Sequence, residues 1–422
     1  MTDYDAVVVG GRVAGAATAL LLARAGLRVV VVERGRPGGD TVSTHAFMRA
    51  GVLQLSRWGL LEAVEKAGTP PVRRTMFHYP GLEPVTVTIR SRGGVDALYA
   101  PRRFVLDEIL LDAAQDAGAE VVRGTVTEVL HDLGGRVVGV RLIEPGGSER
   151  RLRARHTIGA DGIASVVARQ VGAEILQAGR HASAMLYRYY DALPTGGYEW
   201  FYSPGAAAGL IPTNAGQTCV FVGTTPLAMR KRRRNGTEAG FSDLVRDVGR
   251  PLAGPSLADR MLDARPAGRL HGWAGHPGFL RQAHGAGWAL VGDAGYYKDP
   301  ITTHGMTDAL RDAQLLTDAV LAATSGRSHE RVAMARYQST RDRLSQRLLE
   351  ATEAVAGYGW DTPTIQRLLR EVSASMSDEL EYLDSTGDAA VSGVITADNA
   401  DPALVPSRAP REGPAGGRRV PR

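Results

Sequence analysis

Residues 4–34 have the sequence YDAVVVGGRVAGAATALLLARAGLRVVVVER, which carries the strongest fold signal in the chain. The apolar run at residues 7–9 predicts a buried strand, and the small residues from 14 to 25 predict a helix. Residues 28–33, RVVVVE, predict a second strand that is parallel to the first. The stretch is therefore predicted to form a βαβ unit of the length that binds dinucleotides.

Glycines mark the turn between the first strand and the helix. Gly10 and Gly15 flank this turn, and Arg12 stands where the G-x-G-x-x-G pattern usually has its second glycine. Glu33 ends the second strand, where an acid accepts hydrogen bonds from an adenosine ribose while the helix start faces a pyrophosphate. A βαβ unit with a purely structural role is the alternative. The motif alone does not separate FAD from NAD.

Two later junctions also lead from an apolar strand through glycine and aspartate into a helix. The first is TIGADGIASVVARQ, residues 157–170, and the second is GDAGYYKDPITTHGMTDALRDA, residues 292–313. The second crosses a loop at Pro300 and predicts a new helix after Gly305. A glycine beside a helix start lets backbone N–H groups approach an anionic or carbonyl-rich ligand.

The three junctions, in this order and spacing, resemble the FAD-dependent monooxygenase superfamily of the para-hydroxybenzoate hydroxylase type. Flavin halogenases and geranylgeranyl reductases share that superfamily. The resemblance implies FAD as the resident cofactor. It also implies an α/β fold, in which a Rossmann-like FAD-binding domain carries an inserted mixed or antiparallel β-sheet substrate domain and C-terminal helices.

The resemblance assigns residues to the cofactor. Asp293 would bind the ribityl chain, and the helix start after Gly305 would stabilise negative charge at the flavin pyrimidine. PRRFVLDEILLDAAQDAGAEV matches the family's R-x-x-L-D stretch, in which Arg103 would approach the flavin; an ordinary surface arginine is the alternative. The full predicted cofactor set is Gly10, Val13, Ala14, Gly15, Glu33, Arg34, Thr44, His45, Arg103, Val126, Asp161, Gly162, Gly292, Asp293, Pro300, Gly305 and Met306.

Alternating segments rich in β-branched and aromatic residues predict strands of a separate substrate domain. Their aromatic residues would line a pocket for a flat molecule or, alternatively, only pack within the sheet: Tyr187, Tyr189, Tyr198, Trp200 and Tyr202. The predicted division assigns residues 1–75, 101–180 and 284–385 to the FAD-binding part with its C-terminal helices, 76–100 and 181–283 to the substrate sheet, and 386–422 to a disordered tail.

Two residues are predicted to have catalytic roles beside the flavin ring. His45 is the candidate proton carrier, because the unperturbed pKa of histidine is about 6.5. Hydrogen bonding to the flavin, or capping of the next helix, is the alternative for His45. Lys298 is conspicuous because only three of the 50 basic residues are lysines, and an amine in this loop would donate to a peroxide or enolate. A solvated loop charge is the alternative for Lys298.

Composition narrows the remaining possibilities. One cysteine excludes an intrachain disulfide and a thiolate metal cluster, so no metal site and a cytoplasmic location are expected. No apolar run reaches the roughly 18 residues of a membrane span, and no secretion signal precedes the first strand. The net charge of +5 reflects a basic run at residues 230–234 and an arginine-rich end at 406–422. Neither interleaves aromatic residues, so nucleic-acid binding is not predicted.

The resemblance implies a monooxygenase that hydroxylates or epoxidises a small aromatic or polyketide-like metabolite through a flavin C4a-hydroperoxide. NAD(P)H would supply the electrons, directly or through a partner flavin reductase, and molecular oxygen would be the co-substrate. An ene reductase of the geranylgeranyl-reductase type is one alternative. A halogenase is another, although EWFYSPGAAAGLIPTN lacks the two tryptophans of the W-x-W-x-I-P segment, and Arg73 and Arg74 stand where a lysine is expected. A non-enzymatic scaffold like the GDP dissociation inhibitors is a third.

Overall fold

The computed structural model describes residues 3–35, 39, 41–248, 252 and 254–391, with side chains as far as Thr386. Its strands are β1 (Tyr4–Val9), β2 (Val29–Glu33), β3 (Arg74–His78), β4 (Val85–Thr88), β5 (Glu120–Arg123), β6 (Thr125–His131), β7 (Val137–Ile143), β8 (Glu149–Gly159), β9 (Ile175–Ala178), β10 (Ala184–Asp191), β11 (Tyr198–Ser203), β12 (Ala206–Pro212), β13 (Thr218–Thr224), β14 (Arg265–Trp273), β15 (Phe279–Arg281), β16 (His284–Gly285), β17 (Trp288–Leu290) and β18 (Tyr296–Tyr297). Its helices are α1 (Val13–Arg24), α2 (Arg49–Arg57), α3 (Leu61–Lys66), α4 (Arg103–Asp116), α5 (Val166–Gln170), α6 (Pro226–Arg232), α7 (Thr237–Asp247), α8 (Leu257–Arg260), α9 (Gly305–Thr324), α10 (Glu330–Ala356) and α11 (Thr362–Val391).

The main sheet has the order β16-β17-β8-β1-β2-β5, and the strands from β17 to β5 are parallel. Ala6 and Val8 of β1 join a core with helices α1, α4 and α9, whereas Val7 and Val9 join a core with the β6–β7 hairpin. A parallel strand buried on both faces needs apolar residues at every position, which explains the valine run. The predicted βαβ unit is present, and α1 begins one residue before the predicted start.

The second sheet has the order β14-β10-β13-β12-β11-β3-β4 and is antiparallel except where β11 lies beside β3. One face packs against helices α6, α7 and α8. The other face, which we call the aromatic face, carries Tyr187, Tyr189, Tyr198, Trp200 and Tyr202 in one core. Residues of one strand that are two positions apart share a face, which explains why these side chains lie together.

The predicted boundaries differ from the structure in two places. The seven-stranded sheet ends with β14, and β15, inside the predicted substrate segment 181–283, pairs instead with β9 and β18 in a three-stranded sheet. The turn-forming run GHPG at residues 275–278 separates β14 from β15. Helix α11 continues to Val391, past the predicted start of the tail at 386. The rest of that tail lies outside the described residues.

Helix α11 connects the two sheets. Ile365 and Leu368 join the core of the aromatic face, whereas Leu380 and Leu383 join the core beneath α1 and α9. Within the part of the chain that the structure describes, none of the helices combines the length and apolar character needed to cross a bilayer.

Candidate cofactor and substrate site

The turn after β1 is held close to its neighbours by glycine. Gly10 has φ +103°, and a Cβ there would lie 2.5 Å from the carbonyl oxygen of Ala160. A Cβ on Gly15 would lie 1.8 Å from the carbonyl oxygen of Gly10. Arg12, at the place of the missing glycine, has φ −90° and ψ −168°, an extended conformation open to any residue. The turn therefore keeps its close backbone approach without a glycine at position 12.

The three glycine junctions lie against one another, and we call the place where they meet the cofactor groove. A Cβ on Gly10 would come within 3.3 Å of the Asp161 Cα, so the first two junctions are in contact. Gly292 has φ +58°, and a Cβ there would lie 2.8 Å from the Cβ of Ala14. A Cβ on Gly305 would lie 3.9 Å from Oδ1 of Asp293. The chain thus brings the starts of α1 and α9 together.

Both of these helix starts lack a side-chain cap. Neither Arg12, before α1, nor His304, before α9, accepts a hydrogen bond from its helix through its side chain. Ser165, Thr225 and Ser256 cap helices α5, α6 and α8, whereas α2, α3, α4 and α7 also begin without a side-chain cap. The starts of α1 and α9 differ from these four in lying at the glycine junctions. Uncapped first-turn N–H groups and the positive end of the helix dipole attract anionic groups. The groove is therefore suited to a pyrophosphate at α1 and to a negatively polarised ring at α9.

The predicted adenosine ligand, Glu33, lies at the end of β2. The Glu33 carboxylate accepts hydrogen bonds from the N–H groups of Gly11 and Gly35, each at 2.6 Å. Each carboxylate oxygen can accept more than one hydrogen bond, so Glu33 retains capacity for a ribose. A cavity of about 380 Å³ lies beside it, lined by Arg34, Arg123, Gly124, Thr125, Thr127, Ile143, Glu144 and Pro145. Val126, one of the predicted cofactor residues, is buried next to this lining.

Two predicted cofactor residues also have structural partners. Asp161 accepts hydrogen bonds from the Ser165 hydroxyl at 2.5 Å and from the Val166 N–H at 2.7 Å, which fixes the start of α5. Arg103 forms an ion pair with Asp107 at 3.0 Å, one helical turn further along α4. Gly162 follows Asp161 with φ +77°.

Asp293 lies in the groove beside the start of α9. Loss of hydration raises the pKa of its carboxyl to about 6, and the nearby Lys298 and Arg103 limit the rise. In the same segment, Pro300 and Met306 are half-buried and Gly305 is exposed. The start of α9 is thus accessible from the groove, as a cofactor contact requires.

His45 lies where the groove meets the aromatic face. It is fully buried, follows the half-buried Thr44, and has φ +66°. Its Nε2 is hydrogen-bonded to the Tyr189 hydroxyl, and its Nδ1 has no hydrogen-bond partner among the described residues. Burial, with the charges of Arg102 and Arg103, lowers the pKa of His45 well below its usual value. The imidazole is therefore neutral at neutral pH.

Two residues of this region were not predicted. The Arg102 guanidinium lies 3.5 Å from the centre of the Tyr189 ring, and His271 stacks on Tyr187 with ring centres 4.9 Å apart. His271 stands directly opposite Tyr187 across the β10–β14 pair. Arg102 could have been found in the sequence, because it directly precedes the predicted Arg103. His271 could not, because the pairing register of β10 and β14 that places it beside Tyr187 is not visible in the sequence.

The model of the FAD binding domain family matches residues 3–352. The chain belongs to the FAD-binding domain family. The glycine cradle and the uncapped helix starts fit that cofactor, and the predicted superfamily, the fold class and FAD as the bound cofactor are confirmed. This FAD-binding chain is an FAD-dependent oxidoreductase, so the non-enzymatic scaffold is set aside.

Three similar proteins represent different branches of the superfamily. Digeranylgeranylglycerophospholipid reductase of Methanosarcina mazei is 26% identical over 340 residues, which cover 76% of this chain and 76% of the reductase. PqsL, a probable FAD-dependent monooxygenase from Pseudomonas aeruginosa, has a TM-score of 0.72 and 23% identity and covers 89% of this chain and 99% of its own. It has also been solved in complex with 2-aminobenzoylacetate. The flavin-dependent brominase Bmp2 has a TM-score of 0.73 and 18% identity, and the match covers 91% of this chain and 99% of the brominase chain.

Lys298 occupies a different environment from the one predicted for it. Its ammonium group is ion-paired with Asp308 and is 1% exposed, so it faces the interior of the FAD-binding part. Burial and the neighbouring Arg311 lower the pKa of Lys298 to about 7. This placement favours an electrostatic role for Lys298 over direct proton donation to a substrate.

Lys298 is part of a larger buried group, which we call the ionic cluster. Its members are Lys298, His304, Asp308, Arg311, Asp312 and Glu379. His304, Asp308 and Glu379 have side chains of the type that binds metals and lie close together. However, Arg311 donates hydrogen bonds to Asp308 at 3.1 Å and to Glu379 at 3.0 Å, so a guanidinium already supplies the positive charge between these carboxylates.

Proposed function

We propose that this chain is an FAD-dependent monooxygenase that hydroxylates or epoxidises a small aromatic or polyketide-like metabolite. The aromatic face carries the proposal, because its five predicted substrate residues all lie on the side of the sheet that holds Ile301. Ile301 directly follows Pro300, in the loop predicted to contact the flavin ring. A site with aromatic walls excludes water and suits a flat ring.

FAD supplies electron storage and oxygen activation when it is bound. The protein's own groups have the remaining tasks. The uncapped first-turn N–H groups of α9 would stabilise negative charge on the cofactor. The buried side chains of the aromatic face would keep water away from the reacting atoms.

His45 is the proposed proton carrier. Its imidazole is neutral at neutral pH, and because burial disfavours the imidazolium, His45 would hold a proton only while passing it on. Its Nδ1 has no hydrogen-bond partner among the described residues. The Tyr189 hydroxyl orients the ring through Nε2. A non-glycine residue with positive φ is strained, and such strain is often found at functional sites.

The co-substrates and the location complete the proposal. Electrons would come from NAD(P)H, either directly or through a partner flavin reductase, and molecular oxygen would provide the transferred atom. A cytoplasmic location remains the expectation from the single cysteine. PqsL, with its 2-aminobenzoylacetate complex, supports an aromatic substrate class for this fold.

The test combines oxygen consumption with isotopic labelling. The FAD-loaded protein would be assayed with NAD(P)H, with and without a flavin reductase, across phenolic and polyketide metabolites. A product that carries ¹⁸O from oxygen gas supports the proposal. Reduction of a substrate in a sealed anaerobic cell, with no label, contradicts it and indicates an ene reductase like the one from Methanosarcina mazei. Halide-dependent product formation would indicate a halogenase.

The variant His45→Asn tests the proton carrier. Asparagine tolerates positive φ, so the backbone should be kept. We expect at least about a fivefold loss of product per oxygen consumed and a matching rise in hydrogen peroxide, because a positioned acid–base group contributes about 10²–10⁴-fold. The control His131→Asn changes an exposed histidine at the end of β6 and should behave as wild type.

A further inference from the structure

The ionic cluster is buried deep in the protein. Its six side chains are each at most 5% exposed. His304 Nε2 lies 2.5 Å from the Glu379 carboxylate, and the two carboxylates of Asp308 and Glu379 share Nη1 of Arg311. Arg311 also donates to Asp312 at 2.7 Å and to Ser345 at 2.9 Å. These contacts fix all the charged groups in one geometry.

The cluster does not balance its charge. Lys298 and Arg311 are cationic, whereas Asp308, Asp312 and Glu379 are carboxylates. Burial lowers the pKa of His304, so the imidazole adds no positive charge at neutral pH. The group therefore carries an excess of negative charge in a region with little water, where electrostatic interactions are weakly screened.

This charge lies next to the cofactor groove. His304 directly precedes the first residue of α9, whose uncapped start faces the groove. Lys298 and Asp312 both influence the pKa of Asp293, the predicted ribityl ligand. The cluster is thus close enough to the groove to act electrostatically on a bound flavin.

Glu379 comes from a part of the chain that the FAD motifs do not include. It lies on α11, beyond the residues 3–352 that the family model matches, and it is 1% exposed. Its neighbours Leu380 and Leu383 pack in the core beneath α1 and α9, which holds the carboxylate in place.

We propose that the ionic cluster sets the reduction potential of the bound FAD, and that Glu379 on the C-terminal helix is the positioning residue for this effect. Oxidised FAD gains two electrons and one proton to become the anionic reduced form. The electrons come from an external reductant such as dithionite and the proton comes from solvent. The cluster takes no part in that transfer. Its excess negative charge disfavours the anionic form and keeps the potential lower than that of the same site without Glu379.

The test is a reductive titration of the FAD-loaded protein against a redox dye at pH 7, the pH for which the charges of the cluster are assigned. In Glu379→Gln, the ratio of reduced to oxidised FAD at a fixed potential should rise about tenfold, equal to about 30 mV for a two-electron couple. Lys298→Met removes a positive charge, so the ratio should fall. Glu381→Gln, two residues along α11 and 73% exposed, is the matched control and should match wild type.

Opposite shifts for the two cluster variants support the proposal. The proposal would be overturned if both variants shifted the ratio of reduced to oxidised FAD in the same direction, or if both ratios stayed within about twofold of wild type. An equal shift in Glu381→Gln would also overturn it. If Glu379→Gln does not fold, Asp312→Asn tests the same sign, because it also removes one buried negative charge. FAD affinity and circular dichroism separate a change in potential from loss of structure. The titration needs neither oxygen nor substrate, so its outcome is independent of the proposed monooxygenase activity.

Discussion

The Asp293 carboxylate destabilises the folded, FAD-free protein. The pKa of its carboxyl is raised to about 6 in the folded chain, from an ordinary value of 3.8. The folded state therefore binds this proton more tightly than the unfolded state, and this residue's contribution to stability falls as pH rises between these values. This cost to stability supports the proposed role of Asp293 as a ligand of the cofactor.

Replacing Asp293 by Asn should separate stability from cofactor binding. The FAD-free variant should be more stable than wild type by about 2 kcal/mol at pH 7.5, because the desolvated charge is removed, with a smaller gain at pH 5. Its affinity for FAD should fall, because the proposed ribityl contact would be lost. Urea unfolding at both pH values and flavin occupancy measure the two effects. The exposed Asp112→Asn on α4 is the control, and equal gains in both variants would contradict the prediction.

Replacing Gly15 tests the close approach of the start of α1 to the Gly10 carbonyl group. An alanine Cβ would lie 1.8 Å from the Gly10 carbonyl oxygen, so either the helix or the turn must move. We expect Gly15→Ala to lose about 3 kcal/mol of stability, the upper range for overpacking, and most of its FAD. Gly359→Ala adds a Cβ in open space and should keep both. Thermal unfolding and released flavin provide the measurement, and normal FAD content in Gly15→Ala would refute the predicted cradle.

At the scale of elements, local sequence signals were sufficient to predict a strand or helix where residues that are close in sequence are also close in space. β1, α1 and β2 follow from a valine run, small residues and glycine, because a doubly buried parallel strand and a tightly packed helix require these residue types. The contact between Tyr187 and His271 depends on how distant strands pair. The bond between His304 and Glu379 spans 75 residues. No periodicity encodes such contacts, which arise from tertiary packing.

Shortening the chain beyond α11 and shortening it within α11 should have different effects on stability. A chain that stops at residue 405 loses only a Pro-, Gly- and Arg-rich segment, so its melting temperature and flavin content should be unchanged. A chain that stops at residue 376 also loses Glu379, Leu380 and Leu383, which are 1%, 1% and 2% exposed. Burial of each leucine contributes about 1.5–3 kcal/mol, so this chain should lose about 5 kcal/mol. A large loss in the longer chain would show that the end segment docks on the protein.

At the scale of the whole molecule, α11 links the two sheets into one unit. Ile365 and Leu368 pack with the aromatic face, and Leu380 and Leu383 pack beneath α1 and α9. A helix that is buried in two cores cannot leave one without disturbing the other. The aromatic face should therefore respond to events in the cofactor groove.

Thermal unfolding should then be a single transition seen by two probes. Trp200 and Trp360 lie in the core of the aromatic face, whereas Trp58 and Trp288 lie in the cores of the FAD-binding part and would be replaced by Phe for this measurement. Released FAD reports on the groove. We expect tryptophan fluorescence and flavin release to change at the same temperature, and free FAD at 100 times its Kd to stabilise both by about 2.7 kcal/mol. The variant Leu380→Ala should lower both midpoints together, because it removes a buried contact on the shared helix. Two separate transitions, of which FAD shifts only one, would show that the sheets unfold independently and that α11 does not couple them.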